Sequence, residues 1–309
     1  MNMLKTITAL AASALLLAGT TAPAAEKKLD YQAELQASPL GKVSFQPPSE
    51  DQLPDGEFGR MVRLGKAVFS DTKAHAGQYA GNGLSCSNCH LDNGRRAFSA
   101  PLWGAMGMYP KYRKKNDRVN TIQTRIQGCF KYSMNGTPPP ADSEEMTALV
   151  TYGFWLAKGA PIGEKLVGKG FLKMDKPAEK PDYQRGRQIY AENCAVCHGA
   201  NGEGTKVNGK YHFPPLWGAD SYNWGAGMHR INTAAGFIKM NMPYGKGGSL
   251  SDQQAWDVAL FINSHERPAD PRMATVDNDL AKLDKTYHKH QCELGEEHEG
   301  HILGSGAER

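Results

Sequence analysis

Apolar residues return at helical spacing in four stretches of the chain. Leu64, Gly65, Val68 and Phe69 share the face of the first. Met146, Leu149, Tyr152 and Trp155 mark a second, which opens at about Ser143. Tyr183, Gly186, Ile189 and Tyr190 mark a third. In the fourth, Ser251 stands as N-cap before Trp256, Ala259, Leu260 and Ile262. These patterns predict amphipathic helices and an all-α fold. Gly153 lies inside the second predicted helix, where glycine is unfavourable, and close helix packing would account for it.

A fifth apolar stretch, Ile7 to Gly19, has another character. It is Ala/Leu-rich, follows Lys5 and runs into the small-x-small triplet Ala22-Pro23-Ala24. It falls short of the roughly 20 residues that span a bilayer. Residues 1–25 therefore read as a cleaved signal peptide, which places the mature chain, from about Glu26, in the oxidising periplasm.

The chain then repeats itself. Cys86-Ser87-Asn88-Cys89-His90 is matched by Cys194-Ala195-Val196-Cys197-His198, Pro101-Leu102-Trp103-Gly104-Ala105 by Pro215-Leu216-Trp217-Gly218-Ala219, and Arg118-Val119-Asn120-Thr121 by Arg230-Ile231-Asn232-Thr233. Each half closes with a predicted helix. The expected organisation is an N-terminal extension at 26–57, a first domain at 58–157, a linker at 158–181, a second domain at 182–270 and a tail at 271–309. The linker carries Pro161, Pro177, Pro181 and six lysines, the composition of a solvated strap. Its lysines also offer a docking face for an acidic electron partner.

Composition narrows the function. With 309 residues there is room for two domains, and a mean hydropathy of −0.55 excludes a polytopic membrane protein. Net charge is +4 with 22% charged residues, too balanced for a nucleic-acid-binding chain. Six cysteines in such a length do not make a disulfide scaffold, so their spacing carries the information. Four lie in the two C-x-x-C-H motifs. There Cys86 and Cys89, and again Cys194 and Cys197, would bond the two vinyl groups of one haem c, with His90 and His198 on iron. Two tandem cytochrome c domains with two covalently bound haem c groups are thus expected. The haems would supply apolar mass that side chains alone provide thinly.

The sixth position of each iron sets its chemistry. In the second half Lys239-Met240-Asn241-Met242-Pro243 forms the ligand loop, with Met242 favoured over Met240 because Pro243 fixes the chain after it. Lys239 is a weaker candidate. The first half has no matching Met-Pro. Thr121 to Cys129 spans eight residues and Thr233 to Met242 nine, so the repeat puts Cys129 nearly opposite Met242, with Met134 as rival. A Cys129–Cys292 disulfide is the equal alternative from spacing alone. Around Cys129 the chain is basic: Lys111, Arg113, Lys114, Lys115, Arg118, Arg125 and Lys131 stand against Asp117. Arg118, like Arg230, is also suited to a haem propionate. The local excess suggests an anion site. Two dianions held about 6 Å apart at an effective dielectric of about 20 repel by roughly 11 kcal/mol, so their meeting requires fixed cations.

Asn82-Gly83-Leu84-Ser85 with the first motif, Gly128-Cys129-Phe130-Lys131-Tyr132-Ser133-Met134-Asn135-Gly136, and Asn241-Met242-Pro243 together resemble the dihaem thiosulfate dehydrogenases, also called tetrathionate reductases. The likeness covers about residues 58–268. It implies a catalytic first haem ligated by His90 and Cys129, and a second, ligated by His198 and Met242, that relays electrons to a soluble or membrane-attached cytochrome. It implies a small anionic sulfur substrate contacted by Arg125 and Ser133, with Lys131 and Arg118 as further carry-overs. Asn241, where some members have Lys, weighs against a redox-linked Lys/Met exchange. A plain dihaem electron carrier and a haem subunit of a sulfur-oxidising multienzyme complex are the alternatives. The tail, with His288, His290, Cys292, His298 and His301 among glutamates, has metal-ligand chemistry, but it reads as a solvated, partly disordered end.

Overall fold

The computed structural model describes residues 45–114, 116–289 and 291–307. The expected signal peptide at 1–25, residues 26–44, Lys115, His290 and residues 308–309 lie outside the described residues. The six longest helices are α1 (Gly56–Ser70), α2 (Ile122–Gly128), α3 (Glu144–Leu156), α4 (Tyr183–Asn193), α5 (Ile231–Asn241) and α6 (Asp252–Asn263). α1 begins two residues ahead of the expected boundary. The predicted caps form. Ser143 accepts from Met146 N–H at 3.2 Å, and Ser251 and Gln254 make a reciprocal capping box.

Each half is built on one close helix crossing, α1 on α3 and α4 on α6. Glycine makes both possible: a Cβ on Gly65 would overlap the Ala148 carbonyl, and one on Gly186 the Asp257 carbonyl. Gly153 has its own reason, since a Cβ there would meet Met106 Sδ at 2.8 Å. Val62, Val68, Phe69, Phe130, Leu149 and Tyr152 form the first core; Ile189, Tyr190, Ala235, Ile238, Val258 and Phe261 form the second.

Three short antiparallel hairpins accompany the helices: β1–β2 (Lys111–Arg113 with Arg118–Asn120), β3–β4 (Thr205–Val207 with Lys210–Phe213) and β5–β6 (Glu297–His298 with His301–Ile302). β3–β4 turns through Asn208 and Gly209, both at positive φ, the residue pair such a two-residue turn favours.

Two expectations need correction. The linker is only in part a solvated strap. Leu166 is buried, Phe98 and Ala100 N–H donate to Gly168 and Gly170 carbonyls at 2.6 and 2.9 Å, and Gly236 of α5 packs on the Leu172 carbonyl. Five of its lysines (Lys158, Lys165, Lys173, Lys176 and Lys180) are exposed. The tail folds as well. Val276, Leu283, Leu294 and Leu303 close around the fully buried Trp224, a core too small to show as a periodic pattern. The domains also share material, for Tyr222 and Ala226 of the second half complete the first core. Among the described residues no helix is long and apolar enough to cross a membrane.

Candidate cofactor and catalytic site

The two C-x-x-C-H motifs present their histidines alike. His90 Nδ1 lies 2.7 Å from the Ala100 carbonyl and His198 Nδ1 2.8 Å from the Pro214 carbonyl. A carbonyl only accepts, so Nδ1 carries the proton in each ring and Nε2 keeps the lone pair a metal needs. Phe69 stands 6.0 Å from His90, and Phe213 6.1 Å from His198. Burial holds His198 below its ordinary value and keeps it the neutral ligand form. Because Ala100 N–H donates to Gly170, the linker braces the acceptor that orients His90.

Opposite these histidines the halves diverge. In the first, Thr121 caps α2 by accepting from Thr124 N–H at 3.1 Å. That places Arg125 and Cys129 four residues apart on one face. At Cys129 the helix widens into a π turn, Cys129–Ser133, of the kind found often at functional sites. Arg125 Nη1 donates to Cys129 Sγ at 3.1 Å, and the same sulfur feels His90. Burial pushes the Cys129 thiol up, but Arg125 and His90 outweigh it and bring it down to about 7. Burial leaves Cys86 and Cys89 pushed up to about 12, and both feel the Cys129 charge, so all three sulfurs and His90 share one locus. Arg125 is in turn held above its ordinary value by Cys129.

The rivals fall elsewhere. Met134 is buried in the first core with Phe130 and Leu149. Cys129 and Cys292 form no disulfide: one sulfur sits on Arg125, the other 3.6 Å from Asp284 Oδ1. In the second half Met242, at the C-cap of α5, packs against the core that holds Ile189 and Tyr190, whereas Met240 belongs to a cluster with Phe98 and Trp103 of the first domain. Lys239 Nζ is occupied by the Leu250 carbonyl at 2.6 Å and by Asp252 at 2.9 Å.

Of the remaining predicted residues, Ser133 closes the π turn, and its carbonyl accepts from Asn82 Nδ2 at 3.1 Å. Lys131 reaches over the Tyr132 ring beside a groove bounded by Asn223 and Pro268. Arg118 lies in the exposed β2 opposite Arg113. Neither Lys131 nor Arg118 hydrogen-bonds Cys129 among the described residues. Arg230, its repeat counterpart, donates to the Tyr287 carbonyl of the tail at 2.7 Å. Two features escaped sequence reasoning. Tyr222 of the second half comes close enough to feel the Cys89 charge, under Arg267 at 4.4 Å. Arg95, which follows the first motif in a Gly-Arg-Arg run, keeps a buried Nη1 with no hydrogen-bond partner. That run was the available signal.

Comparison with known proteins agrees with this arrangement. A family model described as SoxA/TsdA, cytochrome c domain, matches residues 72–162, and a cytochrome c model matches 183–266. A thiosulfate dehydrogenase of Stutzerimonas stutzeri is 53% identical over 93% of this chain and 95% of its own length. One from Thiomonas intermedia is 51% identical over 85% and 82%. The chain belongs to the thiosulfate dehydrogenase family. A solved thiosulfate dehydrogenase (TsdBA) from Marichromatium purpuratum superposes with a TM-score of 0.82 at 47% identity, covering 87% of this chain and 59% of that one. As a thiosulfate dehydrogenase family member with two cytochrome c domains, the protein carries two covalent haem c groups. The residues fit them: paired thiols in each motif, histidines with Nε2 turned away from their carbonyls, and a spare buried guanidinium nitrogen beside the first motif.

Proposed function

We propose that this chain is an oxidoreductase of thiosulfate that couples two thiosulfate ions into tetrathionate with release of two electrons, or runs the reverse, with Cys129 as the reacting sulfur. The observation that carries this reading is the half-buried Cys129 sulfur, held by Arg125 at 3.1 Å and facing His90. Each haem c, when bound, supplies a one-electron redox site, and two sites match the two electrons released. We assign the first to His90 and Cys129 and the second to His198 and Met242.

The chain's own part is sulfur chemistry. The Cys129 thiolate and the outer sulfur of one thiosulfate form a sulfur–sulfur bond as two electrons leave. The second thiosulfate attacks that outer sulfur, the bond to Cys129 breaks, tetrathionate departs and the thiolate returns. Two thiosulfate dianions thus become one tetrathionate dianion and two electrons. Arg125 stabilises the thiolate at both ends of the cycle. Lys131 and Arg118 add positive charge against the dianion repulsion, and Ser133 offers a hydroxyl on the turn that carries Cys129. Electrons pass to a redox partner of cytochrome type in the periplasm, the compartment that residues 1–25 indicate.

The test is a Cys129→Ser protein with both haems in place, assayed with thiosulfate and with tetrathionate and artificial redox dyes. Turnover in neither direction is expected. Low-temperature EPR of the unaltered protein is expected to show one thiolate-ligated and one His/Met low-spin iron. Wild-type turnover in Cys129→Ser refutes the role of the sulfur. An unaltered protein idle with both free anions would be an electron carrier, or a subunit acting on protein-bound sulfur.

A further inference from the structure

The tail returns His288 and Cys292 to the start of α5, where they meet His229. The three ligand atoms lie within 4.8 Å of one another. Both histidines are fully buried, and their rings meet edge to face at 4.3 Å. Each imidazole is oriented from behind. His229 Nδ1 is taken by the Ala226 carbonyl, and its Nε2 is buried without a hydrogen-bond partner. His288 Nε2 lies 3.1 Å from Asp270 Oδ2, which makes Nδ1 its ligand atom. Asp270 is itself buried and doubly bonded by Arg272 at 2.6 and 2.9 Å. A histidine backed by a carboxylate, another backed by a carbonyl and a neighbouring thiol are the parts of a metal site with its outer shell in place. The buried Asp284 carboxylate lies 3.6 Å from Cys292 Sγ, outside the cluster of the three ligand atoms. Arg230 and Arg267 are opposing charges nearby; Arg230 donates to the Tyr287 carbonyl at 2.7 Å, and Arg267 to the Ile262 carbonyl at 3.0 Å and to Asn263 Oδ1 at 3.1 Å.

We propose that His229, His288 and Cys292 bind a structural zinc ion that fastens the C-terminal tail to the second domain. Two imidazole nitrogens and one thiolate suit zinc in a tetrahedral site, with the fourth position left to a water or a neighbouring oxygen. His229 lies one residue before Arg230, the N-cap of α5, the helix whose C-cap is Met242. Through Asp270 and Arg272 the site also reaches Tyr132, 4.8 Å from the Arg272 guanidinium and on the turn that begins at Cys129. The clamp thus braces the segments that present both axial candidates, and it takes no part in the sulfur chemistry.

The holoprotein with both haems tests this by elemental analysis and zinc-edge X-ray absorption. One zinc per chain is expected beyond the haem iron, with one sulfur at about 2.3 Å and nitrogen or oxygen neighbours at about 2.0–2.1 Å. His288→Ala and Cys292→Ser should lose the zinc and, for the second, the sulfur neighbour, while haem content stays unchanged. Should either variant fold poorly, the unaltered holoprotein decides the matter: a zinc chelator should lower Tm by several degrees and added Zn²⁺ should restore it. A protein that holds no zinc and takes up none overturns the proposal and leaves a thiol–imidazole core. Copper at one per chain, or zinc with no sulfur neighbour, overturns it equally.

Discussion

The two haem domains are one design with two outcomes. Both cross their first and last helices over a glycine, and both turn the motif histidine with a backbone carbonyl. They part where the ligand loop begins. In the second domain α5 runs 11 residues and delivers Met242 among apolar neighbours, with Lys239 tied down at the start of α6. In the first, α2 runs only seven and opens into a π turn, which delivers a sulfur beside a guanidinium. A thioether in an apolar wall raises the potential of its iron and offers no reactive atom. A thiolate lowers it and is a nucleophile. On the proposed ligation, the change from an apolar wall to a sulfur beside Arg125 accompanies the division between a domain that transfers electrons and one that makes bonds.

The most direct way to break that contrast is to give the first domain the second's ligand. Cys129→Met should leave both haems attached and cost at least about 10³-fold in turnover, because the nucleophile is gone. Its first-haem potential should rise toward that of the second, read by redox titration. Surviving turnover would place the chemistry away from the sulfur. Next in size, Arg125→Ala keeps the sulfur and removes its charged neighbour. Losing one charge-assisted hydrogen bond of about 1.5–3 kcal/mol should lower kcat/KM for thiosulfate by roughly 10- to 100-fold. Arg125→Lys should recover part of it. An equal loss in the matching assay of second-domain electron transfer would deny that the effect is local to the first domain.

How much of this was legible beforehand follows from the range of each interaction. The attachment motifs, the repeat and the helix caps at Ser143 and Ser251 are local patterns, and they stand in the structure where the sequence places them. Cys129 was reachable by register against Met242, but spacing could not separate a free thiol from a disulfide. Only the packing of Cys292 against Asp284, far from Arg125 in the chain, does so. Tyr222 in the first core and His229 beside His288 are contacts between distant segments, which no periodicity announces. The β3–β4 hairpin is a different case. Asn208-Gly209 between Val207 and Lys210 was a readable turn signal that helical repeats overshadowed.

The shared helix crossing can be tested in parallel. Gly65→Ala and Gly186→Ala each force a methyl into a carbonyl and should destabilise by about 1–3 kcal/mol, measured by denaturant unfolding of the holoprotein. Similar losses in both would show that the crossing is the common foundation. A loss in one alone would mean the halves are braced differently.

They do differ in how the crossing is tied, and this gives the smallest expected effect. In the first domain Arg60 meets Glu144 at 3.1 Å with both side chains more than half exposed, so Glu144→Gln should leave the unfolding midpoint essentially unmoved. In the second, buried Asp257 accepts from Asp182 N–H at 2.9 Å, from Arg185 Nε at 2.8 Å and from Gln253 Nε2 at 3.0 Å. Asp257→Asn should cost about 1–2 kcal/mol, since Arg185 keeps access to water and is not stranded. Burial works against the Asp257 carboxylate, but Arg185, Asp182 N–H and Gln253 together hold it below its ordinary value. A carboxylate so depressed contributes its stability above the unfolded value of about 3.9 and loses it as pH falls through the folded one. The unaltered protein should therefore weaken more steeply than Asp257→Asn below about pH 4, as followed by the unfolding midpoint. Parallel acid curves would remove Asp257 as the second domain's tie and leave the two crossings alike.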